Sequence, residues 1–127
     1  MRVFLVRHAE AEPGDPDDLR PLTEAGRAHA RAVGERLAGE HPEAVLCSPL
    51  LRARETAHAI ARAAGLEPEP DERLAPGATA DDLKDTVASK GATVIAVGHQ
   101  PDCSEIVLAL TGRDVTFAPG DVQELAL

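Results

Sequence analysis

Along the chain, short apolar runs alternate with stretches whose apolar residues recur at helical spacing. Val3–Val6, Ala44–Cys47 and Thr93–Val97 are almost wholly apolar, the pattern of strands buried on both faces. Between them the spacing predicts helices. Thr23 is a natural N-cap for a helix running to about Gly39, with Ala30, Val33 and Leu37 on one buried face. Pro49 suits the first turn of a second helix, which Gly65 closes. Thr79 caps a short helix to Ser89 with Leu83 and Val87 inward, and another helix is predicted from about Pro101 to Leu110. The Pro-interrupted stretch Leu66–Leu74 is at best an edge strand. Val115–Phe117 and Val122–Leu127 predict two final strands, paired as a hairpin about Pro119-Gly120. The alternation predicts a mainly parallel sheet with helices on both faces. No repeat or low-complexity linker interrupts it, so residues 1–127 are expected to form a single α/β domain.

The polar residues that stop these runs carry the chemistry. Three strands end in Arg7-His8, Cys47-Ser48 and Gly98-His99. In a parallel sheet those ends share one edge, and that edge is where open α/β folds bind ligands. Arg52 lies one turn into the helix after Ser48. Guanidinium forks match phosphate oxygens bidentately, and open N–H groups at helix starts add donors for an anion. The set reads as a phosphate site. A histidine in such a site can donate hydrogen bonds, or it can attack phosphorus as a covalent nucleophile. Position alone leaves both roles open.

Composition narrows the partners. The formal net charge of −9 opposes nucleic acid and anionic membranes, so an anionic substrate must be met by a local cation cluster. Only 2% of residues are aromatic, which leaves no stacking platforms for bases. Cys47 and Cys103 have no metal-ligand spacing. The acidic Asp15, Asp17 and Asp18 fit a solvated loop without a calcium pattern. No metal or cofactor is expected. With no signal-like segment or membrane-length apolar stretch, the expected location is the cytoplasm. His29, His41 and His58 read as exposed or interfacial residues instead of catalytic ones, and Glu55 and Arg62 as an outer-surface pair.

Three segments carry a family resemblance: Leu5-Val6-Arg7-His8-Ala9-Glu10, Ser48-Pro49-Leu50-Leu51-Arg52-Ala53-Arg54-Glu55-Thr56-Ala57, and Val97-Gly98-His99-Gln100-Pro101. Together they resemble the signatures of the histidine phosphatase superfamily, which includes phosphoglycerate mutases and acid phosphatases. Arg20-Pro21-Leu22-Thr23 followed by Gly26, Leu74-Ala75-Pro76, and the small size without cap insertions resemble its short SixA-like phosphohistidine phosphatases. The resemblance implies a phosphoglycerate mutase-like three-layer α/β/α sandwich. It makes His8 the nucleophile and Arg7, Arg52 and His99 its catalytic companions, with Arg20 and Ser48 binding substrate. Many members carry an acid in the segment after the third strand; here Glu72–Asp82 has no clear equivalent, and Asp81 is the candidate proton donor. An alkoxide leaving group benefits from such an acid, whereas imidazole leaves more readily. The implied substrate is therefore a phosphohistidine protein. The alternatives are a small phosphorylated metabolite hydrolysed by the same chemistry, or a phospho-ligand bound without catalysis.

Overall fold

The computed structural model describes residues 1–127. Its elements are β1 (Arg2–Arg7), α1 (Glu24–Ala38), β2 (Ala44–Cys47), α2 (Leu51–Ala63), β3 (Pro68–Pro70), α3 (Ala80–Val87), β4 (Thr93–Gly98), α4 (Asp102–Thr111) and β5 (Val122–Ala126). Short 3-10 turns occur at Asp17–Leu19 and Glu72–Leu74. The sheet has five strands in the order β3-β2-β4-β1-β5. All neighbours are parallel except β1 and β5.

Strand alternation sorts the core into two layers. Phe4, Val6, Val45, Cys47, Ile95 and Val97 face α1 and α2, meeting Val33, Leu37, Ala57 and Ile60. Val3, Leu5, Leu46, Val94 and Ala96 face the other way, toward Leu83 and Val87 of α3 and Ile106 and Val107 of α4. This is the expected three-layer α/β/α sandwich. It also creates the crevice. The chain leaves β1 toward α1 on one face and leaves the adjacent β4 toward α4 on the other. Neighbouring connections that diverge this way open a cleft at the strands' carboxyl ends.

Two predicted elements differ. Val115–Phe117 is not a strand, and no terminal hairpin forms: β5 pairs antiparallel with β1 instead. Phe117 is 1% exposed and plugs the α3/α4 layer, while its carbonyl is taken by Arg7 Nη1 at 2.8 Å instead of by a neighbouring strand. Pro119-Gly120 does form a turn, with Asp121 N–H donating to Ala118 O and Gly120 N–H donating to the carbonyls of Arg7 and His8. Gly120 has φ of +82°, a conformation that favours glycine. The second helix begins at Leu51, not at Pro49. The Ser48 hydroxyl accepts Leu50 N–H at 3.2 Å and holds the chain in a turn before the helix starts. Elsewhere Thr79 caps α3 with a reciprocal capping box to Asp82, and Thr23 caps α1. No helix is long and apolar enough to cross a membrane.

Candidate active site

The register brings the site together. Arg7 lies opposite Gly98, and Cys47 opposite Val97. The ladders run one residue further: His8 N–H donates to Gly98 O and Ser48 N–H to Val97 O, each at 3.0 Å. His99, after the central strand β4, therefore sits between His8 and Ser48. The two imidazoles have centroids 5.3 Å apart at a 59° tilt.

Each histidine is held in a defined way. His8 Nδ1 lies 2.7 Å from Ala9 O. A carbonyl can only accept, so Nδ1 carries the proton and Nε2 keeps a free lone pair. His99 Nε2 lies 2.7 Å from Ser48 Oγ. That oxygen already accepts Leu50 N–H. If the hydroxyl proton goes to Nε2, His99 Nδ1 becomes an N–H donor. Among buried side-chain polar atoms, only His99 Nδ1 and Arg7 Nε have no partner. Both belong to this site. Buried polar groups are otherwise nearly always satisfied, so the pair marks where an acceptor belongs.

Burial and the surrounding cations keep both rings neutral. The pKa of His8 is pushed down to about 4, chiefly by desolvation, with Arg52 and Arg7 adding to it. His99 is likewise pushed down to about 4, by desolvation and then by His8 and Arg52. A neutral His8 with a free Nε2 is in the form a nucleophile requires.

The arginines come from three segments. Arg7 is anchored on the Phe117 carbonyl. Arg52 donates Nη1 to Asp17 O at 2.8 Å and Nη2 to the Asp17 carboxylate at 3.3 Å. Arg20 donates to Glu12 O at 2.7 Å and to the other Asp17 oxygen at 3.0 Å. Asp17 thus joins the two guanidiniums, and they hold its carboxyl below the usual range, Arg20 most strongly. Asp81 stands exposed in the first turn of α3 and makes no hydrogen bond or ion pair with any of these groups.

Several supporting residues are not apparent from sequence spacing. Thr56 is wholly buried; its hydroxyl accepts Ala9 N–H at 3.0 Å and donates to Arg52 O at 2.8 Å, tying β1's exit to α2. Buried Asp102 accepts Gly77 N–H at 2.8 Å and pins the loop before α3 beside the site. Thr23 N–H donates to Glu10 O, and a side chain at Gly26 would collide with that carbonyl, which is why glycine follows the cap. Glu55 does not pair with Arg62: it accepts Leu22 N–H at 2.7 Å, because the loop before α1 folds back onto α2. Only a polar residue facing inward on α2 hinted at Thr56; the other contacts have no local signal. Cys47 and Cys103 are free and buried, with thiols pushed up to about 11 and about 12 by desolvation, which makes them small core residues. His29, His41 and His58 are exposed, as expected.

A doubly wound sheet with neutral histidines and arginine forks at its switch-point crevice defines a phosphoryl-transfer enzyme. The profile of the histidine phosphatase superfamily (branch 1) matches residues 3–81. The chain is 30% identical to a phosphohistidine phosphatase SixA homolog of Haemophilus influenzae, over 98% of this chain and 87% of that one. It is 41% identical to an uncharacterized protein of Picosynechococcus sp., over 83% and 70% of the two chains. Among solved structures, the protein histidine phosphatase SixA complexed with tungstate superposes with a TM-score of 0.88 at 28% identity, covering 100% of this chain and 88% of that one. A mycobacterial glucosyl-3-phosphoglycerate phosphatase, 22% identical and covering 98% and 89%, shares the fold with a TM-score of 0.79. The protein belongs to the histidine phosphatase superfamily, in its SixA-like branch, and is a phosphatase.

Proposed function

We propose that the protein hydrolyses phosphohistidine on a protein substrate, through a phosphoryl intermediate on His8 Nε2. The observation that carries this reading is the fixed, neutral His8 with its free Nε2, beside the buried unpartnered nitrogens Arg7 Nε and His99 Nδ1. In the first step the Nε2 lone pair attacks phosphorus in line. The substrate's P–N bond breaks, its electron pair returns to the leaving imidazole, and that ring takes a proton from solvent. In the second step water attacks the phosphorus on His8. The P–Nε2 bond breaks, the water gives up its protons to solvent and phosphate, and inorganic phosphate leaves. Arg7, Arg52 and His99 bind the equatorial oxygens as charge redistributes, while Ser48 orients His99. Arg20 acts through Asp17, which it shares with Arg52.

The substrate class follows from the proton donor. The one carboxylate against the arginines, Asp17, is engaged by both and held ionised, so it is poorly suited to donate a proton. Imidazole needs less help than an alkoxide. The SixA relationship supports the same reading, and a solved SixA structure carries the oxyanion tungstate. The test is a panel of a phosphohistidine protein, phosphoramidate and alkyl phosphates, with His8→Ala as the blank. The expected result is preferential P–N hydrolysis and an acid-labile, base-stable phosphoryl label that is absent from H8A. Comparable turnover of alkyl phosphates would assign the metabolite substrate instead. Phosphate binding without turnover of any substrate would leave a binding module.

A further inference from the structure

A second cationic feature lies outside the phosphate pocket. Arg27 and Arg31 on α1, and Arg54, His58 and Arg62 on α2, line a cleft of about 560 Å³. Arg27 and Arg31 are spaced i, i+4, a like-charge pair that weakens α1 instead of supporting it, and on α2 Arg54 and Arg62 flank His58 four positions to either side. The protein has 22 acidic residues against 13 Lys and Arg, and many acids could have been placed here. Only Glu55 lines the cleft, and its carboxylate is occupied by Leu22 N–H.

Five of the 13 Lys and Arg residues, Arg2, Arg20, Arg52, Arg73 and Lys90, form ion pairs; Arg7, Arg36, Lys84 and Arg113 do not, and neither do the four arginines of the cleft. Arg31, Arg54, Arg62 and His58 make neither ion pairs nor side-chain hydrogen bonds, and Arg27 donates only to Leu22 O. Half-buried Leu51, Ala59 and Pro68 add apolar surface between them, which strengthens charge-assisted bonds by excluding water. Four guanidiniums with free donors suit an array of carboxylates.

The position of the cleft points to the occupant. Arg52 faces the phosphate pocket, while Arg54, two positions on, is turned by about 200° around the helix. The cleft runs along α2 to Arg62, ten residues and about 15 Å beyond Arg52. A small phosphorylated molecule held in the pocket cannot span that distance, but about five residues of extended polypeptide can. We propose that the cleft docks an acidic segment of the phosphoprotein substrate while its phosphoryl group occupies the pocket beside His8. This rests on the phosphohistidine-protein reading above.

The test compares full-length wild type with R54E/R62E and the milder R54Q/R62Q, using a phosphohistidine protein and phosphoramidate. Charge reversal is expected to lower kcat/KM for the protein substrate by about tenfold or more. The neutral variant should lose less, the wild-type value should fall with added salt, and phosphoramidate turnover should stay unchanged as the control for folding. Equal loss on both substrates, or no loss on either, would overturn the proposal and leave the reading of function intact. If wild type hydrolyses no P–N substrate, the reading of function fails, and anisotropy of a labelled octa-glutamate peptide then judges the cleft directly. Binding to wild type but not to R54E/R62E supports acidic-polypeptide docking. Absence of binding, or tighter binding of an oligonucleotide or tripolyphosphate, overturns it.

Discussion

Replacing Thr56 by valine removes one buried hydroxyl while conserving side-chain shape. Ala9, itself buried, then loses the only acceptor of its N–H, whereas the Arg52 carbonyl keeps its place in the helix ladder. An orphaned buried N–H costs about 1–3 kcal/mol. For a chain of this length, a central value of about 2 kcal/mol corresponds to a fall in Tm of about 8 °C. The loss also reaches the chemistry. Ala9 O is the acceptor that holds His8 Nδ1–H at 2.7 Å, so loosening Ala9 releases the ring's tautomer and orientation. A tenfold fall in kcat requires only about 1.4 kcal/mol of this positioning. Thr56→Ser keeps the hydroxyl and loses one methyl, at about 1 kcal/mol, and should retain kcat. Thermal unfolding, phosphoramidate turnover and nitrogen-15 spectra of the His8 ring give the three readouts. If T56V keeps wild-type kcat and the Nδ1–H tautomer while T56S does not, the proposed coupling is wrong.

Other parts of the structure make further predictions. His8 and His99 should show two imidazole resonances that titrate near pH 4, one lost in His8→Gln and the other in His99→Gln. Because folding lowers both values from 6.5, the unfolded chain binds more protons between pH 6.5 and 4. Stability should therefore fall as pH drops through that window, by at most about 3 kcal/mol per ring and less where solvent reaches it, with no further histidine contribution below it. Denaturant midpoints that stay constant from pH 7 to pH 4 in wild type would refute this. Gly26→Ala drives a methyl into the Glu10 carbonyl, a backbone atom that cannot rotate away. Calorimetry should show a loss of about 2–3 kcal/mol. Asp17→Asn removes the carboxylate that competes for Arg52 and Arg20, so inorganic phosphate should inhibit severalfold more tightly. Weaker inhibition would instead assign Asp17 to holding Arg52 in place.

Much of the site is legible along the chain because its signals are local. Val3–Val6, Ala44–Cys47 and Thr93–Val97 each end in polar residues, and a parallel sheet has no other way to arrange those ends than along one edge. The Val115–Phe117 prediction fails for the opposite reason. Three residues with strand propensity become a strand only where a partner offers free N–H and C=O groups, and β5 already occupies the edge of β1. Thr56 facing Ala9 and Asp17 capturing Arg52 join residues 47 and 35 positions apart, which no spacing rule reports.

Sequence alone determined the alternating α/β order, the strand-end histidines and arginine, and the excess of acid that makes any cation cluster meaningful. Tertiary structure decided which nitrogen of His8 is free, which buried nitrogens lack partners, and how the arginines divide between a phosphate pocket and a cleft along α2. The reason is physical. Periodicity and capping act over a few residues, whereas tautomer, pKa and charge segregation depend on groups that only the folded sheet and helices bring within hydrogen-bond range.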